Sequence, residues 1–153
     1  MTEREPLIRK AIAADLSAIV ALHAEDELGR TREGAIDDPA YARAFARIER
    51  DPNNAFYVIE QEGAVIGCAQ LTIVPGLARR AVTRGQIESV HIAASAQGQG
   101  LGRWFFEQLI ALAKAQGCGL IQLTSDKKRA GAHRFYESLG FTASHEGFKL
   151  KVE

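Results

Sequence analysis

Ser95-Ala96-Gln97-Gly98-Gln99-Gly100-Leu101-Gly102 decides how the chain is read, because it separates a candidate strand from a candidate helix. Upstream, Gln86–Ile92 has the apolar and β-branched content of a strand. Downstream, Leu101, Phe105, Leu109 and Leu112 recur on one helical face. Three alternate glycines remove the Cβ atoms that would hold a diphosphate away from the backbone. The first N–H groups of the helix lack intrahelical partners, and the helix dipole favours negative charge beside them. The stretch therefore reads as an anion cradle; the alternative is a tight connection in which the glycines serve packing alone. Spacing removes two familiar phosphate loops. A Walker A loop needs Lys followed by Ser or Thr after its last glycine, whereas Arg103-Trp104 follow Gly102. A dinucleotide fingerprint needs G-x-G-x-x-G after an early strand and an acidic residue about twenty positions on, and neither is met.

Working outward, Leu7 to Ile12 reads as a first strand, and Asp15 is placed to cap the helix that follows. Leu16, Ile19, Val20 and His23 give that helix an apolar face. Glu25 to Pro39, with six carboxylates and two glycines, reads as an irregular loop. Tyr41, Phe45 and Ile48 mark a second helix, closed by Asp51-Pro52 because proline disfavours helical geometry in its predecessor. Ala55–Glu60 and Ala64–Val74 read as strands around a hairpin turn at Gln61-Glu62-Gly63. A basic loop with Arg79, Arg80 and Arg84 leads to Gln86–Ile92. After the long helix, Gly117-Cys118-Gly119 is a stop signal, and Leu120–Thr124 reads as a buried strand. Ala132, Phe135, Tyr136 and Leu139 form a helical stripe ended by Gly140. Phe148, Leu150 and Val152 alternate with Lys149 and Lys151, the pattern of a final half-buried strand whose edge could pair two copies into a homodimer. The expected fold class is mixed α/β (α+β), a mostly antiparallel central sheet with helices on both faces.

The 153 residues suit one domain over 1–153, with no repeat or low-complexity linker. Nineteen basic and nineteen acidic side chains cancel, so no global field draws the protein to nucleic acid or an anionic membrane. No apolar run is long enough to span a bilayer, and Met1–Lys10 lacks the apolar centre of a signal peptide. Cys68 and Cys118 lie in apolar stretches and read as lone buried thiols of a cytoplasmic protein. No His/Cys/Asp cluster has metal-ligand spacing, so no metal is expected.

Two stretches carry a family resemblance. Gln97-Gly98-Gln99-Gly100-Leu101-Gly102 matches the Q/R-x-x-G-x-G/A motif of the GNAT superfamily of N-acetyltransferases, and Val90-His91-Ile92 resembles its lead-in strand. Ala132-His133-Arg134-Phe135-Tyr136-Glu137-Ser138-Leu139-Gly140-Phe141 is similar to its A-x-x-(F/L)-Y-x-x-x-G-F motif. The element order agrees with the family fold over nearly the whole chain. The resemblance implies acetyl-CoA as co-substrate. Backbone N–H groups of Gln99, Gly100, Leu101 and Gly102, with Gln97 and Gly98, would hold its pyrophosphate. Strands Gln86–Ile92 and Leu120–Thr124 would splay apart around pantetheine, with Val90, His91 and Ile92 lending main-chain groups. The family often has proline where Ala94 stands. It often has asparagine where Arg129 stands, so Arg129 falls at a pantetheine contact. Lys127, Lys128 and Arg129 could meet CoA phosphates or form a solvated charged surface.

Acyl transfer to an amine needs a base for the amine, a stabilised oxyanion and an acid for the leaving thiolate. The resemblance gives the acid to Tyr136; by stripe spacing alone Phe135-Tyr136 are two core aromatics. Glu88, amid Ile87, Val90 and Ile92, would be costly to bury without a role or partner. It is read as the general base, directly or through water, or as the structural partner of Arg84 or Arg103. His91 is a rival base, but simple alternation sets it on the face opposite Glu88; His23, His133 and His145 are assigned to packing or surface. The acidic stretch Glu25–Asp38 would draw cationic amines or is a solvated loop, and the arginines of the basic loop would favour a substrate carrying a carboxylate. The expected activity is N-acetylation of a primary amine on a small molecule or peptide. The alternatives are a non-catalytic acyl-CoA-binding regulatory module and a nucleotide-phosphate binder unrelated to CoA.

Overall fold

Glu62 and Gly63, at φ 52° and 81°, reverse the chain in a two-residue turn. Left-handed geometry at both positions matches the twist of the strands it joins. Those strands are β2 (Asn54–Gln61) and β3 (Ala64–Val74), paired antiparallel from Gln61↔Ala64 outward. β1 (Leu7–Lys10) adds antiparallel to β2, and β4 (Arg84–Ile92) antiparallel to β3. β5 (Leu120–Gln122) runs parallel to β4, giving a five-stranded sheet in the order β1-β2-β3-β4-β5. The computed structural model describes residues 4–153, in two units divided between Gln122 and Leu123. The sheet belongs to the first.

Register fixes which helix covers which face. Cys68, Val58 and Phe56 point one way, toward α1 (Leu16–His23) and α3 (Pro39–Arg50), with Ile19, Leu22 and Phe45 in the same buried cluster. Ile73 and its partner Gly85 point the other way, where a Cβ on Gly85 would come within 3.2 Å of the Ala113 Cβ of α5 (Leu101–Ala115). Phe105, Phe106 and Leu109 of α5 are buried, as are Leu71 and Ile87 of the sheet. Helices thus pack on both faces. α5 ends as its glycines predict: Gly117, at φ 87°, donates to the Lys114 carbonyl and Cys118 to that of Ala113, a Schellman motif. Both cysteines are free and buried, and burial pushes the Cys68 thiol up to about 12, leaving it inert.

Several sequence expectations give way. β1 stops at Lys10 and Asp15 makes no side-chain cap to α1. Its carboxylate turns back instead, accepting the Ile12 N–H at 2.8 Å and a two-pronged contact from Arg9 at 2.7 and 3.0 Å. Arg9 also reaches Glu60 on β2, at 3.2 Å, so the network pins the start of the chain to the sheet. The Arg9 guanidinium, aided by the Ile12 N–H and opposed by burial, holds the Asp15 carboxyl below its ordinary range. Because the folded value is the lower one, this contribution is complete above the unfolded value of about 3.9 and is lost as pH falls through the folded value. Asp15→Asn is therefore expected to cost about 2 kcal/mol at pH 7 and progressively less below pH ~4. Thermal melts of both proteins across pH 2–8 (about that range) check it; a constant difference would place the effect in packing.

The acidic stretch, expected as loop, contains α2 (Glu27–Arg32). Asp26 caps it through the Gly29 N–H, and the buried Gly29 lies so close to the His23 carbonyl that a Cβ would overlap it. A single turn, α4 (Ala78–Ala81), carries the basic loop, with Arg79, Arg80 and Ala81 at positive φ; Arg84 already belongs to β4.

In the second unit, α6 (Ala130–Ser138) is the regular element, and Lys127 pairs with Glu146 at 3.2 Å. The expected strand at 148–152 does not form. Phe148, Leu150 and Val152 are 93%, 87% and 89% exposed. Alternation marks a strand only when a neighbouring edge supplies hydrogen bonds, and none of the described strands pairs with this segment.

Candidate active site

The glycine stretch is an open cradle. A 3-10 turn over Ala94–Ala96 leaves β4, and Gly98 and Gly100 follow at φ 79° and 76°. A Cβ placed on either would meet nothing within 4 Å. Gly100 caps α5 without a side-chain hydrogen bond, and the first α5 turn closes with Trp104 N–H to the Gly100 carbonyl at 3.2 Å. The preceding N–H groups, from Leu101, Gly102 and Arg103, face outward with the helix dipole behind them. Gln97 ties the cradle down: its Nε2 donates to the Ile92 carbonyl at 3.1 Å.

β4 leads into this cradle with an open outer edge. β5 pairs with it only from Arg84↔Leu120 to Gln86↔Gln122, so the expected strand to Thr124 is shorter by two residues. Beyond Gln86 no described strand covers that edge, where Val90 and Ile92 lie. The inner edge holds the principal surprise. Gln70 pairs with Glu88 and Cys68 with His91, so Ser89 and Val90 of β4 stand against Ala69 alone on β3. The extra residue is accommodated at Ser89, φ 56°, in a bulge. Gln70 and Cys68 share a face, so Glu88 and His91 share one too. The expectation that alternation separates them is wrong by that one residue.

Glu88 is exposed, so the burial cost invoked for it does not arise. Arg84 instead reaches Gln122 at 3.4 Å, and Arg103 lies 4.0 Å from Glu107. The acidic stretch is anchored beside the cradle: Glu25 accepts the Ala94 N–H at 3.0 Å, and Glu33 accepts the Tyr41 hydroxyl at 2.7 Å. Nothing in the sequence marked Glu25 as an anchor, because its partner is a main-chain N–H 69 residues away.

In the second unit, the spacing of Tyr136, Gly140 and Phe141 has a local cause. Gly140, at φ 97°, donates to the Glu137 carbonyl and Phe141 to that of Tyr136, a second Schellman motif. That motif brings its flanking apolar pair together, and the Tyr136 and Phe141 rings meet edge-on at 6.1 Å. Burial holds the Tyr136 phenol above its ordinary range, with Arg129 pulling the other way. His133 Nε2 lies 3.1 Å from the Asp126 carbonyl, a local tie at the start of α6.

The sequence model of the acetyltransferase (GNAT) family matches residues 18–141, a span that holds both the glycine cradle and α6 with its stop. The chain belongs to the acetyltransferase (GNAT) family. Among GNAT relatives, an aminoalkylphosphonate N-acetyltransferase of Salmonella typhimurium is 28% identical over 141 residues, 92% of this chain and 88% of that one. A glucosamine 6-phosphate N-acetyltransferase of Trypanosoma brucei brucei is 34% identical over 90 residues, and the match spans only 59% of each chain. A solved structure from Bacillus halodurans C-125, described as a transcriptional regulator, superposes with a TM-score of 0.91 at 43% identity, covering 96% of this chain and 99% of its own. The five-stranded, mostly antiparallel sheet flanked by helices is the GNAT fold. Among the described residues, no helix is long and apolar enough to cross a membrane.

Proposed function

We propose that the protein is an acetyl-CoA-dependent N-acetyltransferase of one domain over residues 1–153, acting in the cytoplasm on a small primary amine. The observation that carries this reading is the empty space over Gly98 and Gly100 at the α5 N-terminus, beside a β4 edge open beyond Gln86. That space would let a diphosphate approach the backbone, and the edge would offer main-chain groups to an extended amide-bearing arm. Gln97, Gly98, Gln99, Gly100, Leu101 and Gly102 would hold the pyrophosphate; Val90, His91 and Ile92 would serve pantetheine through their backbone, with Arg129 as a further contact. The bound donor supplies a thioester carbonyl. Tyr136 protonates the departing thiolate, and Glu88 takes the amine proton directly or through water. The exposed row Phe148, Leu150 and Val152 is the surface assigned to a homodimer.

Both named relatives act, by their descriptions, on amines carrying phosphate or phosphonate. Glucosamine 6-phosphate and aminoalkylphosphonates therefore head an acceptor screen that also holds polyamines, amino acids, aminoglycosides and peptides, read by release of free thiol. Thiol release with one acceptor class supports the reading; acetyl-CoA binding without turnover on any class would favour the second reading, a non-catalytic acyl-CoA-binding regulatory module. The description of the Bacillus halodurans structure is what keeps that second reading in view. With an acceptor in hand, Glu88→Gln is expected to lower kcat by about 10-fold or more and to remove a limb on the acid side of the pH–rate profile. The sign follows from the role: a base works only when unprotonated, so its activity falls as pH falls. An unchanged profile would hand the role to another group.

A further inference from the structure

β4 carries three polar side chains in a line. Arg84, Gln86 and Glu88 pair with Val74, Thr72 and Gln70 of β3 without a register shift, so all three lie on one face of the sheet. Along the strand they run cation, amide, carboxylate. Their neighbours extend the line into a polar floor. Arg84 Nη1 donates to Gln122 Oε1 at 3.4 Å, and Gln122 Nε2 donates to Gln86 Oε1 at 3.0 Å. On the other side, Gln70 Nε2 donates to Asn54 Oδ1 at 3.0 Å. A guanidinium only donates, so Arg84 sets the sense of the chain: Gln122 accepts with its oxygen and gives with its nitrogen, and Gln86 accepts with its oxygen. The Gln86 Nε2 hydrogens are then left over, and among the described residues nothing takes them.

The two ends of the line differ in charge. Gly63 to Ile87 holds no acidic residue but three arginines, Arg79, Arg80 and Arg84. Arg84 is half-buried, and among the described residues it has no carboxylate partner. A cation drawn partly out of water without a counter-ion favours an anion beside it. The turn before it holds Arg79, Arg80 and Ala81 at φ 53°, 61° and 60°, three successive non-glycine residues in the left-handed region. Each costs free energy, and strain of this kind gathers at ligand clamps. Two further exposed guanidinium groups therefore belong to the Arg84 end of β4, while Glu88 stands at the far end of the line.

We infer that this face is an acceptor subsite for an amine that carries a second, anionic group, with the anion on Arg84 and the amine at Glu88. The inference rests on the acetyltransferase reading and deepens it by naming the class of acceptor. Spacing sets the length of that acceptor. Four residues of strand separate Arg84 from Glu88 by about 13 Å, and a hydrogen bond of about 2.8 Å at each end leaves about 7 Å between amine and anion. At about 1.2 Å per bond, an extended spacer of about five atoms fills the gap. An α-amino acid is too short to reach both ends. Gln86, midway, offers its spare N–H groups to an oxygen on the spacer, such as a hydroxyl or an ether. Arg84 presents a planar fork that suits the paired oxygens of a phosphate, phosphonate or carboxylate.

The test reads free-thiol release by the full chain with acetyl-CoA and two series of acceptors. These are ω-aminoalkylphosphonates and ω-amino carboxylates with spacers of about two to eight methylenes, run beside alkylamines of matching length. The expected kcat/KM peaks near about five methylenes and exceeds that of the matching alkylamine by about 10²-fold. A peak in either series supports the subsite, and the better series names the anion. Arg84→Gln should raise KM for the best acceptor by about 10²-fold and flatten the dependence on length. Arg84→Lys, which keeps the charge but not the fork, should recover part of both. Gln86→Leu should remove a preference of about 10-fold for a spacer bearing a hydroxyl. Calorimetry with acetyl-CoA checks that each variant is folded. Equal or better turnover of the alkylamines, or an unchanged KM in Arg84→Gln, overturns the subsite alone. Failure of the wild-type protein to release thiol with any amine overturns the acetyltransferase reading and the subsite with it.

Discussion

Replacing Tyr136 with phenylalanine is expected to lower kcat by about 10²-fold or more while leaving acetyl-CoA affinity nearly intact. The substitution removes one hydroxyl and keeps the ring that meets Phe135 at 5.6 Å and Phe141 at 6.1 Å, so the α6 stop should persist. The expectation rests on protonation state. A general acid must carry its proton, and burial raises the Tyr136 phenol above its ordinary value of about 10. Activity that depends on this proton is lost only as pH climbs through the raised value, so Tyr136 should impose no alkaline limb between neutrality and pH ~10. Steady-state kinetics on the true acceptor check both points. Full activity in Tyr136→Phe would remove the residue from the acid role.

The second large effect is expected at the cradle. Gly98→Val and Gly100→Val each force a β-branched residue to a φ near 79° or 76° and fill space that is now open. Valine at positive φ costs on the order of 1–2 kcal/mol in the backbone alone. The added methyls also hold a diphosphate away from the N–H groups that would bind it. Charge-assisted hydrogen bonds are worth about 1.5–3 kcal/mol each, so losing one or two of them weakens acetyl-CoA binding by about 10²-fold or more. Thermal stability should fall modestly, because neither added Cβ meets a neighbour. Calorimetry beside thermal melts separates the two effects. Unaltered affinity in both variants would mean that these glycines serve only the tight connection.

What the sequence reveals here depends on how local the cause is. The cradle and both helix stops are legible because a glycine at positive φ solves a problem set by its immediate neighbours, as at Gly100, Gly117 and Gly140. The hairpin at Glu62-Gly63 is legible for the same reason. The Ser89 bulge is not: no glycine marks it, and counting by twos along β4 puts His91 on the wrong face. The rest of the site was hidden by distance. Glu25 meets Ala94, and Gly29 meets the His23 carbonyl, through contacts that folding alone creates. Asp15 looked like a helix cap because its position suited one; Arg9 and the Ile12 N–H compete for the same carboxylate and win. The row of Phe148, Leu150 and Val152 has a strand's pattern but pairs with none of the described strands.

The central claim is that the turn from Gln97 to Gly102 holds the pyrophosphate of acetyl-CoA. Titration calorimetry of the wild-type protein with acetyl-CoA, ATP and NAD tests it most directly. The account predicts saturable one-site binding of acetyl-CoA, lost in Gly100→Val, with ATP and NAD bound at least about 10-fold more weakly, a difference of about 1.4 kcal/mol. Binding of ATP or NAD in preference to acetyl-CoA, or no binding of acetyl-CoA at all, would contradict it.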